Sequence, residues 1–298
     1  MPTLSLDVYT SPQRDLPAGG SFSPTTATLV LGPTEAVLVD TGYTLDDVHE
    51  VARRLETSGR SLTTIYITHA HPDHYLGLEW LLTRFPQARA VAVPAVADKI
   101  AQELDITRTR WTAMFDGLAL DNSYVPEPLE GTVLSVDGHE LRILTIGQGD
   151  IPHNTVVHIP AIEAVIAGDI VYNGINPFLA ASGPNEWSRW ITSIDEVAAL
   201  APRIVVAGHK RPDLPDDDPA ASLDGTRAFI EAFTEAVNDK ATARDVVRHL
   251  QALFPDYGNP SAYRFRRSRI QEKDEHSCLK QSSSPPPAPP SAGPSKDP

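Results

Sequence analysis

The sequence predicts an α/β or α+β domain in which sheets pack together and helices cover their outer faces. Two observations carry this. Apolar runs of four to six residues alternate with longer segments whose apolar residues recur at helical spacing. The strand-rich stretches also fall into two halves of the chain, each followed by helices, which is the pattern of two layered units sharing a core.

In the first half, 26–31 (TATLVL) and 36–39 (AVLV) read as a hairpin broken at Gly32-Pro33, and Asp40-Thr41-Gly42 ends the second run. Leu45, Val48, Val51, Ala52 and Leu55 then lie at helical spacing, with Asp46 and Asp47 in the first turn, where the helix dipole favours negative charge. The segment 63–68 (TTIYIT) reads as a buried strand, 76–85 as a helix and 90–93 as a strand, and Pro94 opens a helix over 94–106. The stretch 107–130, with Trp111, Met114, Phe115 and Tyr124, reads as irregular. In the second half, 133–136 and 141–146 are strands joined across Asp137-Gly138, a strong hairpin signal. Strands at 155–159, 164–167 and 203–207 follow, with helices over 187–200, 224–238 and 242–254.

The chain has 298 residues, 41% of them hydrophobic and 21% charged, which excludes disorder of the whole chain and a fibrous repeat. No apolar run approaches the roughly 20 residues that span a bilayer, and MPTLSLDVYTSPQRD lacks the basic, apolar start of a leader, so no membrane partner and a cytoplasmic location are expected. The single cysteine, Cys278, excludes an internal disulfide framework and fits a reducing compartment. A net charge of −14 argues against nucleic acid as a partner. The one dense basic cluster, Arg264, Arg266, Arg267 and Arg269, reads as a solvated arm. The segment 281–298 holds seven prolines and only two apolar residues, both alanine, too few to offset the entropy of ordering. The expected organisation is an ordered domain over 1–265 and a disordered Pro/Ser-rich tail over 266–298.

The chemistry gathers in Thr68-His69-Ala70-His71-Pro72-Asp73-His74, directly after the buried strand and before a helix. His69, His71, Asp73 and His74 place four potential metal donors within six residues, in a strand-to-helix turn that Pro72 stiffens. This H-x-H-x-D-H run resembles the signature of the metallo-β-lactamase-fold hydrolases. The resemblance implies a four-layer αββα sandwich with a mono- or dinuclear metal site at one edge of its sheets. It implies three further roles at later strand ends. Asp169, in Ala167-Gly168-Asp169, matches the carboxylate that bridges two metals. His209, in Ala207-Gly208-His209, matches the last histidine ligand, and Asp40, in Asp40-Thr41-Gly42, matches an aspartate that supports the ligands from behind. A third histidine for the first metal is expected in a Gly-His turn before the strand leading to Asp169. Gln148 occupies that position, and His153, five residues on, is the candidate in its place.

A dinuclear site of this kind implies hydrolysis of a small-molecule lactam, lactone or ester by a hydroxide held between metals about 3.5–4 Å apart, with Asp73 and His209 holding the second metal and contributing to catalysis. Zinc is the ion expected, at two sites, while manganese and iron suit the same donors. Neither a G-x-S-x-G run nor a cysteine inside the domain offers a rival nucleophile. Trp111, Phe115 and Tyr172 are the candidate substrate contacts, Tyr172 as a donor to an oxyanion. A thioesterase of the glyoxalase II or carrier-protein type is the alternative, in which Lys210 and Arg211 would meet an anionic carrier. A binding module that keeps the fold without catalysis is the other.

Overall fold

The computed structural model describes residues 4–259, apart from positions 123, 240 and 241. The expected boundary at 265, the tail, Cys278 and the arginine cluster lie outside the described residues.

A six-stranded sheet comprises β1 (Ser5–Thr10), β2 (Thr26–Leu31), β3 (Glu35–Val39), β4 (Ser61–Tyr66), β5 (Arg89–Ala92) and β6 (Glu127–Pro128), in that spatial order. The first three pair antiparallel, and β3 through β6 run parallel. A five-stranded sheet comprises β7 (Val133–Val136), β8 (His139–Gln148), β9 (Pro152–Ile159), β10 (Ala164–Ile166) and β11 (Ile204–Val206), in the order β11-β10-β9-β8-β7. All its pairs are antiparallel except β10 with β11.

The layers follow from the strand period of two. In β3, Ala36 and Leu38 face one way, into a core shared with helices α1 (Leu45–Ser58), α3 (Leu78–Arg84) and α4 (Pro94–Met114). Val37 and Val39 face the other way and meet Leu141, Ile143, Val157 and Val206 of the second sheet. On the far side of that sheet, Val165 and Val205 pack under α5 (Pro184–Ala199), α6 (Pro219–Asp239) and α7 (Ala243–Leu253), around the fully buried Trp190. The result is the four-layer αββα sandwich that the resemblance implies. Among the described residues no helix is long and apolar enough to cross a membrane.

Local signals explain most elements. Thr44 caps α1 by accepting from the Asp47 backbone N–H while Asp47 reaches back to the Thr44 N–H. The β7–β8 turn has positive φ at both Asp137 and Gly138, 46° and 79°, the conformation that a two-residue hairpin needs. One expectation fails: 107–114 is helical and extends α4 to Met114. Neither proline nor glycine interrupts the chain between Pro94 and Gly117, and Trp111 and Met114 pack one helical turn apart against the first core.

The connectivity also fixes where a site can form. The parallel pairs β3–β4 and β10–β11 deliver Asp40, His69, Asp169 and His209 just beyond strand C-termini, at a shared edge of the sandwich. Such strand ends are where α/β folds collect polar side chains.

Candidate metal centre

Asp40, at φ 60°, organises the first loop. Its carboxylate accepts from the Thr68 N–H at 2.9 Å and the Thr68 hydroxyl at 2.8 Å, and lies 2.8 Å from His74 Nδ1. His71 stands just before α2 (Pro72–Tyr75), a single helical turn that swings Asp73 and His74 back toward the sheet edge. His69 Nδ1 lies 2.9 Å from the Thr68 hydroxyl. His209 Nδ1 lies 2.8 Å from the Pro24 carbonyl and 2.9 Å from the Ser23 hydroxyl. Each of these three rings therefore has Nδ1 engaged from behind, which leaves Nε2 to face the centre. Asp73 is fixed by the Thr25 hydroxyl, which donates to Oδ2 at 2.8 Å.

The inward-facing atoms converge. Asp169 Oδ1 lies 3.3 Å from His74 Nε2, and its Oδ2 lies 3.2 Å from His209 Nε2 and 3.7 Å from His69 Nε2. His74 Nε2 and His209 Nε2 stand 3.5 and 3.4 Å from Asp73 Oδ2. Two groups result, His69–His71–Asp150–Asp169 and Asp73–His74–His209, each with donor atoms within 4.8 Å of one another. Asp169 belongs to the first and touches two members of the second, so its carboxylate lies between them.

Close approach here depends on glycine. A Cβ on Gly208 would overlap Asp169 Oδ1, and one on Gly168, at φ +50°, would sit 2.9 Å from the Thr68 hydroxyl.

Electrostatics bind the cluster together. Burial alone would lower the His71 pKa, but the adjoining Asp150 carboxylate overrides it and holds the ring up to about 10. Burial would raise Asp169, yet the surrounding His209, His74 and His69 hold it well below the usual carboxylate range. Burial and the Asp169 carboxylate together keep Tyr172 protonated well above its ordinary range. Of the buried side-chain atoms without a hydrogen-bond partner among the described residues, four lie in this cluster: His69 Nε2, His74 Nε2, Asp150 Oδ2 and Asp169 Oδ1. Buried polar atoms are ordinarily satisfied, and this set of imidazole nitrogens and carboxylate oxygens has the chemistry of a divalent-metal site.

Six of the seven expected ligands come together. His153 does not: it is exposed, at φ 65°, and belongs to neither group. The β8–β9 pairing of Gln148 with Pro152 closes the hairpin before His153, so the inward side chain is Asp150, at its tip. Sequence reasoning missed Asp150; the flanking Gly147-Gln148-Gly149, a turn at a strand end, was the available signal.

A cavity of about 410 Å³ opens above the cluster, walled by Phe22, Trp111 and Met114 on one side and Phe178 on the other, with Arg110 at its rim. Trp111 is thus where a substrate contact was expected. Phe115 is not: it is buried behind Trp111, stacked at 5.1 Å between ring centres. Tyr172 reaches the cavity, but its hydroxyl donates to Asp169 Oδ2 at 2.8 Å and its ring stacks on His209. That hydrogen bond orients the carboxylate. Lys210 is buried and pairs with Asp216 at 2.7 Å, and Arg211 pairs with Asp213, so the basic pair expected at the mouth is engaged elsewhere.

Comparison with known proteins agrees with this geometry. Residues 20–209 match the sequence pattern of the metallo-β-lactamase superfamily. No curated protein sequence matches the chain. Among solved structures, the chain is similar to a metallo-β-lactamase family protein, TTHA1429, from Thermus thermophilus, at TM-score 0.60 and 22% identity over 90% of this chain and 94% of that one. It is also similar to the DIM-1 metallo-β-lactamase, at 0.58 and 20% over 77% and 97% of the two chains. A third is the metallo-β-lactamase FIM-1 from Pseudomonas aeruginosa in its mono-zinc form, at 0.57 and 19% over 77% and 92%. With the H-x-H-x-D-H turn, the later strand-end residues and the four-layer sandwich all in place, the chain belongs to the metallo-β-lactamase superfamily.

Proposed function

We propose that the protein is a metal-dependent hydrolase of a small carbonyl compound, opening a lactam, lactone or ester, with zinc as the resident ion at two adjacent sites. The observation that carries this is the convergence of buried, unpartnered imidazole and carboxylate atoms from several strand ends on one point beneath a cavity. His69, His71 and Asp169 would hold one ion; Asp73, His74 and His209 would hold the other, with Asp169 between. Zinc is also the ion named for FIM-1, one of the similar structures. When bound, such ions activate a water molecule near neutral pH and polarise a carbonyl oxygen.

The chain's own residues set up that chemistry. Asp40 holds His74 so that Nε2 presents its lone pair inward, and the Pro24 carbonyl does the same for His209. The Thr25 hydroxyl fixes Asp73, and the Tyr172 hydroxyl fixes Asp169, so neither carboxylate has to reorganise during turnover. Phe22, Trp111, Met114 and Phe178 give the cavity apolar walls that suit a flat or weakly polar ring. The cavity has the volume of a small-molecule site, on the scale of a drug-sized ligand. Thioester hydrolysis loses its main support, because Lys210 and Arg211 are committed to Asp216 and Asp213.

A panel of lactams, lactones, aryl esters and thioesters, assayed with the zinc-loaded protein, tests the reading. The expected result is turnover of at least one lactam, lactone or ester, abolished by a chelator and restored by metal. Absence of turnover across the panel by fully loaded protein would count against hydrolysis of these bonds. Thioester turnover alone would select the alternative chemistry.

A further inference from the structure

Asp150 is the one member of the cluster that the family pattern does not anticipate, and the backbone around it is built to deliver it. The β8–β9 ladder slips register between Thr145 and Gly147 and again between Gly147 and Gln148, and Gly147 takes φ 104°. That bulge bends the strand end and re-aims the hairpin tip. Gly149 lets the tip lie against the site: a Cβ there would sit 2.8 Å from Asn154 Nδ2 and 3.0 Å from the Asp169 carbonyl.

The Asp150 carboxylate is fully buried and its two oxygens do different things. Oδ1 accepts from the Ile151 N–H at 2.8 Å and from Asn154 Nδ2 at 3.5 Å, while Asn154 Nδ2 also donates to the Ile151 carbonyl at 2.8 Å. Oδ2 faces the cluster, 2.6 Å from His71 Nδ1, with which it pairs. One oxygen anchors the side chain and the other faces the donor group beside His71, the arrangement of a monodentate carboxylate whose orientation is set from behind.

We infer that Asp150 is a metal ligand in the place of the third histidine, so that each pocket offers two imidazoles and one carboxylate of its own about the shared Asp169, and that this narrows the first pocket's preference for zinc over harder divalent ions. The inference rests on the metal-dependent reading above. Its chemical basis is donor softness: imidazole suits zinc, whereas carboxylate oxygen suits manganese and other oxygen-preferring ions. Exchange of an imidazole for a carboxylate also adds a negative charge, bringing the donors Asp73, Asp150 and Asp169 to three carboxylates for two dications. The buried pair that His71 and Asp150 form without metal is the structural alternative, and it requires no ion at all.

Metal content separates these. The full chain is stripped and then equilibrated with zinc chloride, with manganese chloride, or with both in competition. Bound metal is measured by elemental analysis for wild type, Asp150→Asn and Asp150→His. Asp150→Asn keeps an acceptor at Oδ1 but breaks the buried pair with His71, so the metal-free variant is expected to melt below wild type, and metal affinity is compared at a temperature where circular dichroism shows both to be folded. It should lose affinity for the first ion by about 10–100-fold, the range seen when groups governing a metal ligand are changed. Asp150→His should regain both ions and favour zinc over manganese by about tenfold more than wild type does. Wild-type metal affinity in Asp150→Asn would overturn the ligand assignment. An unchanged zinc-to-manganese ratio in Asp150→His would overturn the selectivity. A wild-type protein that binds neither ion would fail a different claim, the metal-dependent reading itself.

Discussion

Asp73→Ala and His209→Ala are each expected to lower kcat and kcat/KM together by about 10²–10³, the cost of losing a main electrostatic stabiliser of the transition state. Both side chains face the same point. Asp73 Oδ2 and His209 Nε2 stand 3.4 Å apart, and both adjoin atoms of His74 or Asp169. Both lie on the polar floor of the cavity, whereas its apolar walls are Phe22, Trp111, Met114 and Phe178, so substrate affinity should change less than turnover. An interaction that strengthens only as charge develops appears in kcat, whereas one that merely holds substrate appears in KM. Both residues also carry structural hydrogen bonds, to the Thr25 hydroxyl and to the Pro24 carbonyl. Melting and kinetics are therefore to be measured on one preparation. Variants that melt normally and turn over like wild type would remove the second metal from the mechanism and leave a mononuclear centre at His69 and His71.

Gly208→Ala is expected to be the most damaging single methyl group in the domain. Its Cβ would overlap Asp169 Oδ1 and lie 2.6 Å from the Gly168 carbonyl carbon. The second contact is backbone and cannot rotate away, and Gly208 is tied there by its N–H, which donates to the Gly168 carbonyl at 2.8 Å. Overpacking of this kind costs about 3 kcal/mol or more, a fall in melting temperature of roughly 6–12 °C for a domain of this size. The clash also pushes Asp169 from its place between the two donor groups, so metal retention should fall with stability. Gly131→Ala serves as the contrast. That glycine has φ +78° but open space where a Cβ would go, and strain alone costs about 1–2 kcal/mol. Equal melting temperatures for the two variants would mean that the strand ends do not pack as described.

The parts of the site that the sequence disclosed are those whose geometry is local. His69, His71, Asp73 and His74 sit in one turn, and Asp169 and His209 each follow an apolar strand directly, so strand ends alone locate them. Asp150 was hidden because its aim depends on two register slips and on the grip of Asn154, neither of which is a composition signal. His153 misled because a histidine near the right place outweighs an aspartate at a hairpin tip until the pairing of Gln148 with Pro152 is known. Tyr172 does lie near the chemistry, but its hydroxyl is taken up by Asp169, a contact set by how the short strand Tyr172–Asn173 pairs with His209–Lys210. In the fold, β1 escaped notice because it is an edge strand whose side chains are mostly half-exposed, without the apolar run that marked its neighbours.

Metal stoichiometry tests the dinuclear centre most directly. The full chain is purified without added metal, then reconstituted with zinc or manganese and freed of excess ion, and the bound metal is counted by elemental analysis. Two donor groups that share Asp169 predict about two equivalents per chain, lost together when the ligands are protonated at low pH. Less than about a tenth of an equivalent after reconstitution with either ion would contradict the account, leaving the buried imidazoles and carboxylates to neutralise one another without a metal.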